Sequence, residues 1–136
     1  MAKAIAICNQ KGGVGKSTTA VNVGAYLALA GRRTLLADLD PQGNATLSCG
    51  VNRAGLNKTI YDALIDGASA EESIIPSAIE GLDVLPSGPG LAGAELAMAQ
   101  LKEREGVLKR MCQPLRGRYD VLLFDCPPSL GVLTVN

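Results

Sequence analysis

The chain has 136 residues, with 13 Lys plus Arg against 13 Asp plus Glu and no histidine. That length bounds it to one domain, and the charge balance excludes a global field that would draw it to nucleic acid or acidic lipid. The four cysteines, Cys8, Cys49, Cys112 and Cys126, make no CxxC pair and have no histidine beside them, so they read as buried, reduced thiols of a cytoplasmic protein. No apolar run reaches the roughly 18 residues of a membrane span, and "MAKAIAICNQ" turns polar too early for a leader, so neither membrane nor export is expected.

Taken in chain order, short Leu- and β-branched-rich runs alternate with helical patterns, the signature of a parallel α/β sheet. The runs are "KAIAIC" (3–8), "RTLLADLD" (33–40), "GLDVLPS" (81–87) and "YDVLLFDC" (119–126). Each is continuous rather than alternating, as suits strands buried on both faces. Between the first two, residues 16–31 carry Ala, Val, Tyr and Leu at helical spacing and end on Gly31, a C-terminal cap. Residues 41–80 are less regular: "TIYDALIDG" predicts a short helix, and "SAEESII" opens another behind a Ser cap with Glu three positions on. Ala94, Met98, Leu101, Leu108, Met111 and Leu115 then recur every three to four residues, predicting a helix with Glu105 and Lys109 paired on its wet face.

Residues 9–19, "NQKGGVGKSTT", leave the first strand and enter the first helix, the setting a phosphate-binding loop requires. Gly12, Gly13 and Gly15 permit backbone N–H groups, with that of Val14, to turn toward phosphate oxygens. Lys16 then reaches the β and γ phosphates, Ser17 offers a hydroxyl to Mg²⁺, and Thr18 continues the first turn. The strict G-x-x-x-x-G-K-[ST] pattern is not met, because position 10 is Gln; the motif is K-G-G-x-G-K-[ST], with Lys11 as a second cation. At the ends of the second and fourth runs stand Asp38, Asp40 and Asp125. In a Mg²⁺–polyphosphate site such carboxylates hold the metal or orient the attacking water. Asp38 equally suits a turn starter before "PQGN".

"KGGVGKST" resembles the deviant phosphate loop of the ParA/MinD superfamily of ATPases. "DLDPQGNAT", "TIYDAL", "GLDVLPSG", "LAGAEL" and "DCPPSLGVLTVN" extend the resemblance, in order, to the ParA/Soj chromosome and plasmid partition ATPases. That resemblance implies a P-loop NTPase sheet with strand order 3-2-4-1 for the four runs, and ATP and Mg²⁺ as cofactors. Lys11, Lys16 and Asp40 become catalytic residues: Lys11 acts in trans across an ATP-dependent homodimer, and Asp40 positions the hydrolytic water. The nucleotide is held by Lys11, Gly12, Gly13, Val14, Gly15, Lys16, Ser17 and Thr18. The metal is held by Ser17, Asp40 and Asp125. A ParB-like partner and nonspecific DNA follow as partners, with a nucleoid-associated location. Family members continue for roughly as many residues again, which makes residues 1–136 the expected N-terminal portion of a single ATPase domain and the first run a bare sheet edge. The alternatives are a MinD-like positioning ATPase and a nonproductive nucleotide-binding fragment.

Overall fold

The computed structural model describes residues 2–8 and 15–128. The four apolar runs become β1 (Lys3–Ile7), β2 (Thr34–Asp38), β4 (Leu82–Leu85) and β5 (Val121–Asp125), joined in parallel in the order β4-β2-β5-β1. This is the 3-2-4-1 order expected for the four runs. A two-residue strand, β3 (Ile75–Pro76), adds an antiparallel edge beside β4 that the sequence pattern did not announce. Five α-helices are found among the described residues: α1 (Lys16–Leu29), α2 (Asn44–Ser48), α3 (Ile60–Ile65), α4 (Ala94–Ala99) and α5 (Val107–Cys112).

Every residue of β2 and β5 is buried, because each is covered on both faces. Leu35 and Ala37 join Leu122 and Phe124 in the core shared with Ile60, Met98, Met111 and Leu115. Leu36 and Leu123 turn to the opposite core with Ala20, Ala45 and Val84. One sheet therefore separates two cores, with α3, α4 and α5 on one side and α1 and α2 on the other. α1 can lie close because it presents Gly24 to the sheet; a Cβ there would stand 3.1 Å from Leu82 Cδ1, tighter than side chains normally tolerate. Gly31, at φ +83°, closes α1 in the left-handed conformation, its N–H donating to Ala28 O at 3.0 Å.

The register aligns the strand ends. Ile7 pairs with Asp125 and Asp125 with Asp38, so three neighbouring strands finish on one hydrogen-bonded row. β1 differs from its neighbours in cover: Lys3, Ala4, Ile5 and Ala6 are exposed, Ile5 at 41%. The expectation of burial on both faces fails for this strand because it is an edge, as the strand order requires.

Three local readings are corrected. The single helix expected through 94–115 is two short helices, α4 and α5, linked by a segment in which Glu103 takes φ 57° and residues 104–106 make a 3-10 turn. The two helices still bury Met98, Leu108 and Met111, and the 3-10 turn Gln113–Gly117 after them buries Leu115, whereas Leu101 at the break is 37% exposed. The ion pairs recorded on this surface are Arg104–Glu105 and Arg110–Glu103 rather than Glu105–Lys109. The helix expected behind Ser69 is one 3-10 turn, Ala70–Ser73, without a side-chain cap; Glu72 pairs with Lys58 instead. The short helix at "TIYDALIDG" does form, with Thr59 and Asp62 making the reciprocal capping box. Among the thiols, Cys49, Cys112 and Cys126 are buried but Cys8 is exposed.

Candidate functional site

The site lies where β2 and β5 end and α1 begins. Gly15 caps α1 at φ 77°, ψ 17°, a left-handed conformation that a Cβ would strain. Having no side chain, Gly15 cannot satisfy the free N–H groups of the first helical turn, and that turn carries no acidic residue. The positive end of a 14-residue helix is thereby left open to an anion. Thr18 is exposed on this turn.

Three of the predicted residues meet here directly. The Lys16 ammonium donates to Asp125 Oδ1, and the Ser17 hydroxyl donates to Asp125 Oδ2 at 2.8 Å. Asp125 is fully buried at the end of β5, and its two oxygens face the start of α1. Asp40 joins through the same lysine, its Oδ2 lying 3.7 Å from Lys16 Nζ. Its other oxygen accepts from Gln42 N at 3.0 Å, a turn that holds the carboxylate just beyond β2. Among the described residues, two carboxylates stand against one ammonium at the mouth of an anion-seeking helix, an arrangement that suits a cation alongside any phosphate. Lys11, Gly12, Gly13 and Val14 lie outside the described residues.

Asp38 is not part of this mouth. It is wholly buried, accepting from Thr46 N at 2.9 Å, Thr46 Oγ1 at 2.6 Å and Asp40 N at 3.1 Å. Burial pushes its carboxyl up from 3.8 to about 6, against the lowering pull of the Thr46 hydrogen bonds. The network continues through Thr46 Oγ1, which accepts from Ser87 N at 3.1 Å, while Ser87 Oγ donates to Asp40 O at 2.6 Å. Thr46 and Ser87, both fully buried, thus fix the backbone that carries Asp40. Neither was singled out from sequence. The signal was a hydroxyl residue directly after a strand or turn, too common to stand out.

The donor set fits Mg²⁺. Ser17 Oγ and Asp125 are hard oxygen ligands at one place, and no group of three His, Cys, Asp or Glu among the described residues forms a protein cage. Mg²⁺ takes few protein ligands and keeps water and phosphate oxygens for the rest.

A mostly parallel sheet, a helix entered through Gly15 behind a glycine-rich sequence, and lysine, hydroxyl and carboxylate at the strand ends together define a P-loop nucleotide-binding domain. Comparison with known sequences agrees. The chain belongs to the AAA-domain family, whose profile matches residues 2–136, and within it is of the ParA/Soj type. It is 50% identical over 136 residues to the sporulation initiation inhibitor protein Soj of Bacillus subtilis (strain 168), covering 100% of this chain and 54% of that protein. It is 48% identical over 132 residues to the chromosome partitioning protein ParA of Myxococcus xanthus (strain DK1622), covering 97% of this chain and 47% of that protein. Among solved structures, cobyrinic acid a,c-diamide synthase from Mycobacterium smegmatis with bound ATP analog and magnesium superposes with a TM-score of 0.95. That protein is 43% identical, with 100% of this chain and 55% of that chain covered. The chain spans about half the length of the curated relatives it matches. No described helix is long and apolar enough to cross a membrane.

Proposed function

We propose that these residues form the phosphate- and metal-binding half of an ATP-hydrolysing partition switch, the N-terminal portion of one P-loop domain. The observation that carries the reading is the meeting of Lys16, Ser17, Asp40 and Asp125 around the start of α1. Lys16 would bind β and γ phosphate oxygens in place of its carboxylate partners, and Ser17 and Asp125 would hold the magnesium. Bound Mg²⁺ supplies charge neutralisation on those oxygens. Asp40, held rigidly by Gln42 N and Ser87, orients the attacking water. Lys11 acts from the facing subunit of an ATP-dependent homodimer, placing positive charge where negative charge develops. The closed dimer binds DNA nonspecifically in the cytoplasm, over the nucleoid, and a ParB-like partner prompts its release. The Soj and ParA names of the relatives and the ATP analog and magnesium bound by the structural neighbour support this assignment.

The test is a comparison of three variants of the intact protein by nucleotide titration, phosphate release and light scattering. Lys16→Ala loses nucleotide binding. Asp40→Ala binds normally but does not hydrolyse, so the dimer accumulates. Lys11→Ala keeps monomer affinity within a few fold and loses both dimer and turnover. Equal loss of binding in Asp40→Ala and Lys16→Ala would overturn the role of Asp40, and normal dimerisation of Lys11→Ala would overturn the role in trans.

A further inference from the structure

The carboxylate of Asp40 is aimed by a turn, and that turn is gripped by a residue outside the site. Residues 40–43 read D-P-Q-G, with Asp first, Pro second and Gly fourth, the composition that favours a type I turn. Gly43 N donates to Asp40 O at 3.0 Å and closes it, while Gln42 N donates to Asp40 Oδ1 at 3.0 Å. The other contact of this carboxylate among the described residues is Lys16, which the nucleotide reading gives over to phosphate. Gln42 N is then what aims Asp40. One atom further along, Gln42 O accepts from Arg53 Nη1 at 2.7 Å. The Gln42–Gly43 peptide is thus held at both ends, its N–H by Asp40 O and its C=O by Arg53. Arg53 fills the notch of a missing side chain: a Cβ on Gly43 would stand 2.3 Å from Arg53 Nη1 and 2.8 Å from Cζ. Its backbone is anchored by Asn52, whose Oδ1 accepts from Ala54 N at 3.0 Å and starts the 3-10 turn Arg53–Gly55. No ion pair among the described residues includes Arg53, and its Nε is buried without a partner there. The guanidinium is therefore held by the turn and not by a carboxylate. This assembly follows β2, the middle strand of the five.

We infer that Arg53 is a positioning residue for hydrolysis: by holding Gln42 O it keeps the Gln42 N–H on Asp40 Oδ1, and so keeps that carboxylate aimed at the attacking water. The inference rests on the assignment of Asp40 to hydrolysis under the proposed function. A hydrogen bond from a guanidinium to a carbonyl is stronger than a neutral one. Its loss lets the Gln42–Gly43 peptide turn, loosens Gln42 N and leaves Asp40 pointing in several directions. Nucleotide binding draws on Lys16, Ser17 and Asp125, none of which touches this turn except through the Lys16–Asp40 pair. The effect therefore falls on kcat and not on KM, since orientation of the reacting groups is lost while ground-state binding is kept.

The test measures ATP turnover by the intact protein with Mg²⁺, and amide hydrogen exchange by NMR with neither nucleotide nor metal. Arg53→Met keeps an apolar stem and removes the donors, whereas Arg53→Lys restores a cationic donor. Arg53→Met should lower kcat roughly tenfold or more, with KM for ATP within about twofold of wild type. It should also speed exchange of the Gln42 N–H by roughly tenfold while the amides of β2 and β5 are unchanged. Arg53→Lys recovers most of both. Gly43→Ala fills the notch and displaces the guanidinium, so it lowers kcat by itself, and adding Arg53→Met to it costs nothing more. Four results would each overturn the inference while Asp40→Ala still abolished turnover: an Arg53→Met protein with wild-type kcat, a KM that rises as kcat falls, unchanged exchange at Gln42, or no recovery with lysine. Normal turnover in Asp40→Ala would instead overturn the hydrolytic role of Asp40, and with it the inference built on that role.

Discussion

Replacing Thr46 by Val removes one hydroxyl from the interior and nothing of its shape. In the native protein that hydroxyl donates to Asp38 Oδ2 at 2.6 Å and accepts from Ser87 N at 3.1 Å, with all three residues fully buried. Thr46 N still serves Asp38 in the variant, so the carboxylate is weakened rather than stripped. A hydrogen bond to an ionised partner contributes about 1.5–3 kcal/mol, and an orphaned buried N–H costs about 1–3 kcal/mol, so the expected loss is about 4 kcal/mol. Urea denaturation reads this directly: at about 2 kcal/mol per molar the midpoint falls by about 2 M with an unchanged slope. Thr46→Ser, which keeps the hydroxyl and deletes a methyl, should lose far less. A Thr46→Val loss below about 1 kcal/mol would refute the argument, because it would mean that water or a rearranged backbone satisfies Ser87 and Asp38.

Asp38 also predicts a pH dependence. Its folded carboxyl sits at about 6 against 3.8 ordinarily, so the folded state holds the proton more tightly, and its contribution is fully present below 3.8 and lost as pH rises through 6. At about 1.36 kcal/mol per tenfold in proton affinity the loss is about 3 kcal/mol. The stability difference between wild type and Asp38→Asn, measured by urea in metal-free buffer from pH 4 to 7.5, should therefore change by that amount; a difference independent of pH would contradict it. Gly24→Val should destabilise by about 1–3 kcal/mol through overpacking against Leu82, and a thermal midpoint equal to wild type would show that α1 can lift off the sheet freely.

The parts of the fold legible in the sequence are those set by long buried runs. "TLLAD" and "VLLFD" read as strands because they are covered on both faces, and their terminal aspartates lie at the strand ends as the pattern required. Phase survived where continuity did not: Met98, Leu108, Met111 and Leu115 reach one core although the helix between them breaks. The break is a tertiary matter, since Glu103 adopts a left-handed conformation that its residue type does not favour. Behind Ser69, the Glu that would complete a capping box is drawn away by Lys58, a partner 14 positions distant. Lys16, Ser17 and Asp125 were legible because their spacing is tied to one chemistry. Thr46 and Ser87 were not, because their importance comes from contacts spanning 8 and 41 positions.

The shared row of Ile7, Asp125 and Asp38 limits where this chain can change length. Successive side chains of a strand point to opposite faces, so deleting Val121 would turn Leu122 and Leu123 each toward the other's core. It would also draw Asp125 back from Lys16 and Ser17 by one strand step, about 3.3 Å. A one-residue deletion in the irregular stretch at 100–103, between α4 and the following 3-10 turn, alters no strand and moves no site residue. Length variation in homologous chains should thus gather at such connections and be excluded from β2 and β5, where a single codon lost would dismantle the site and invert the packing at once.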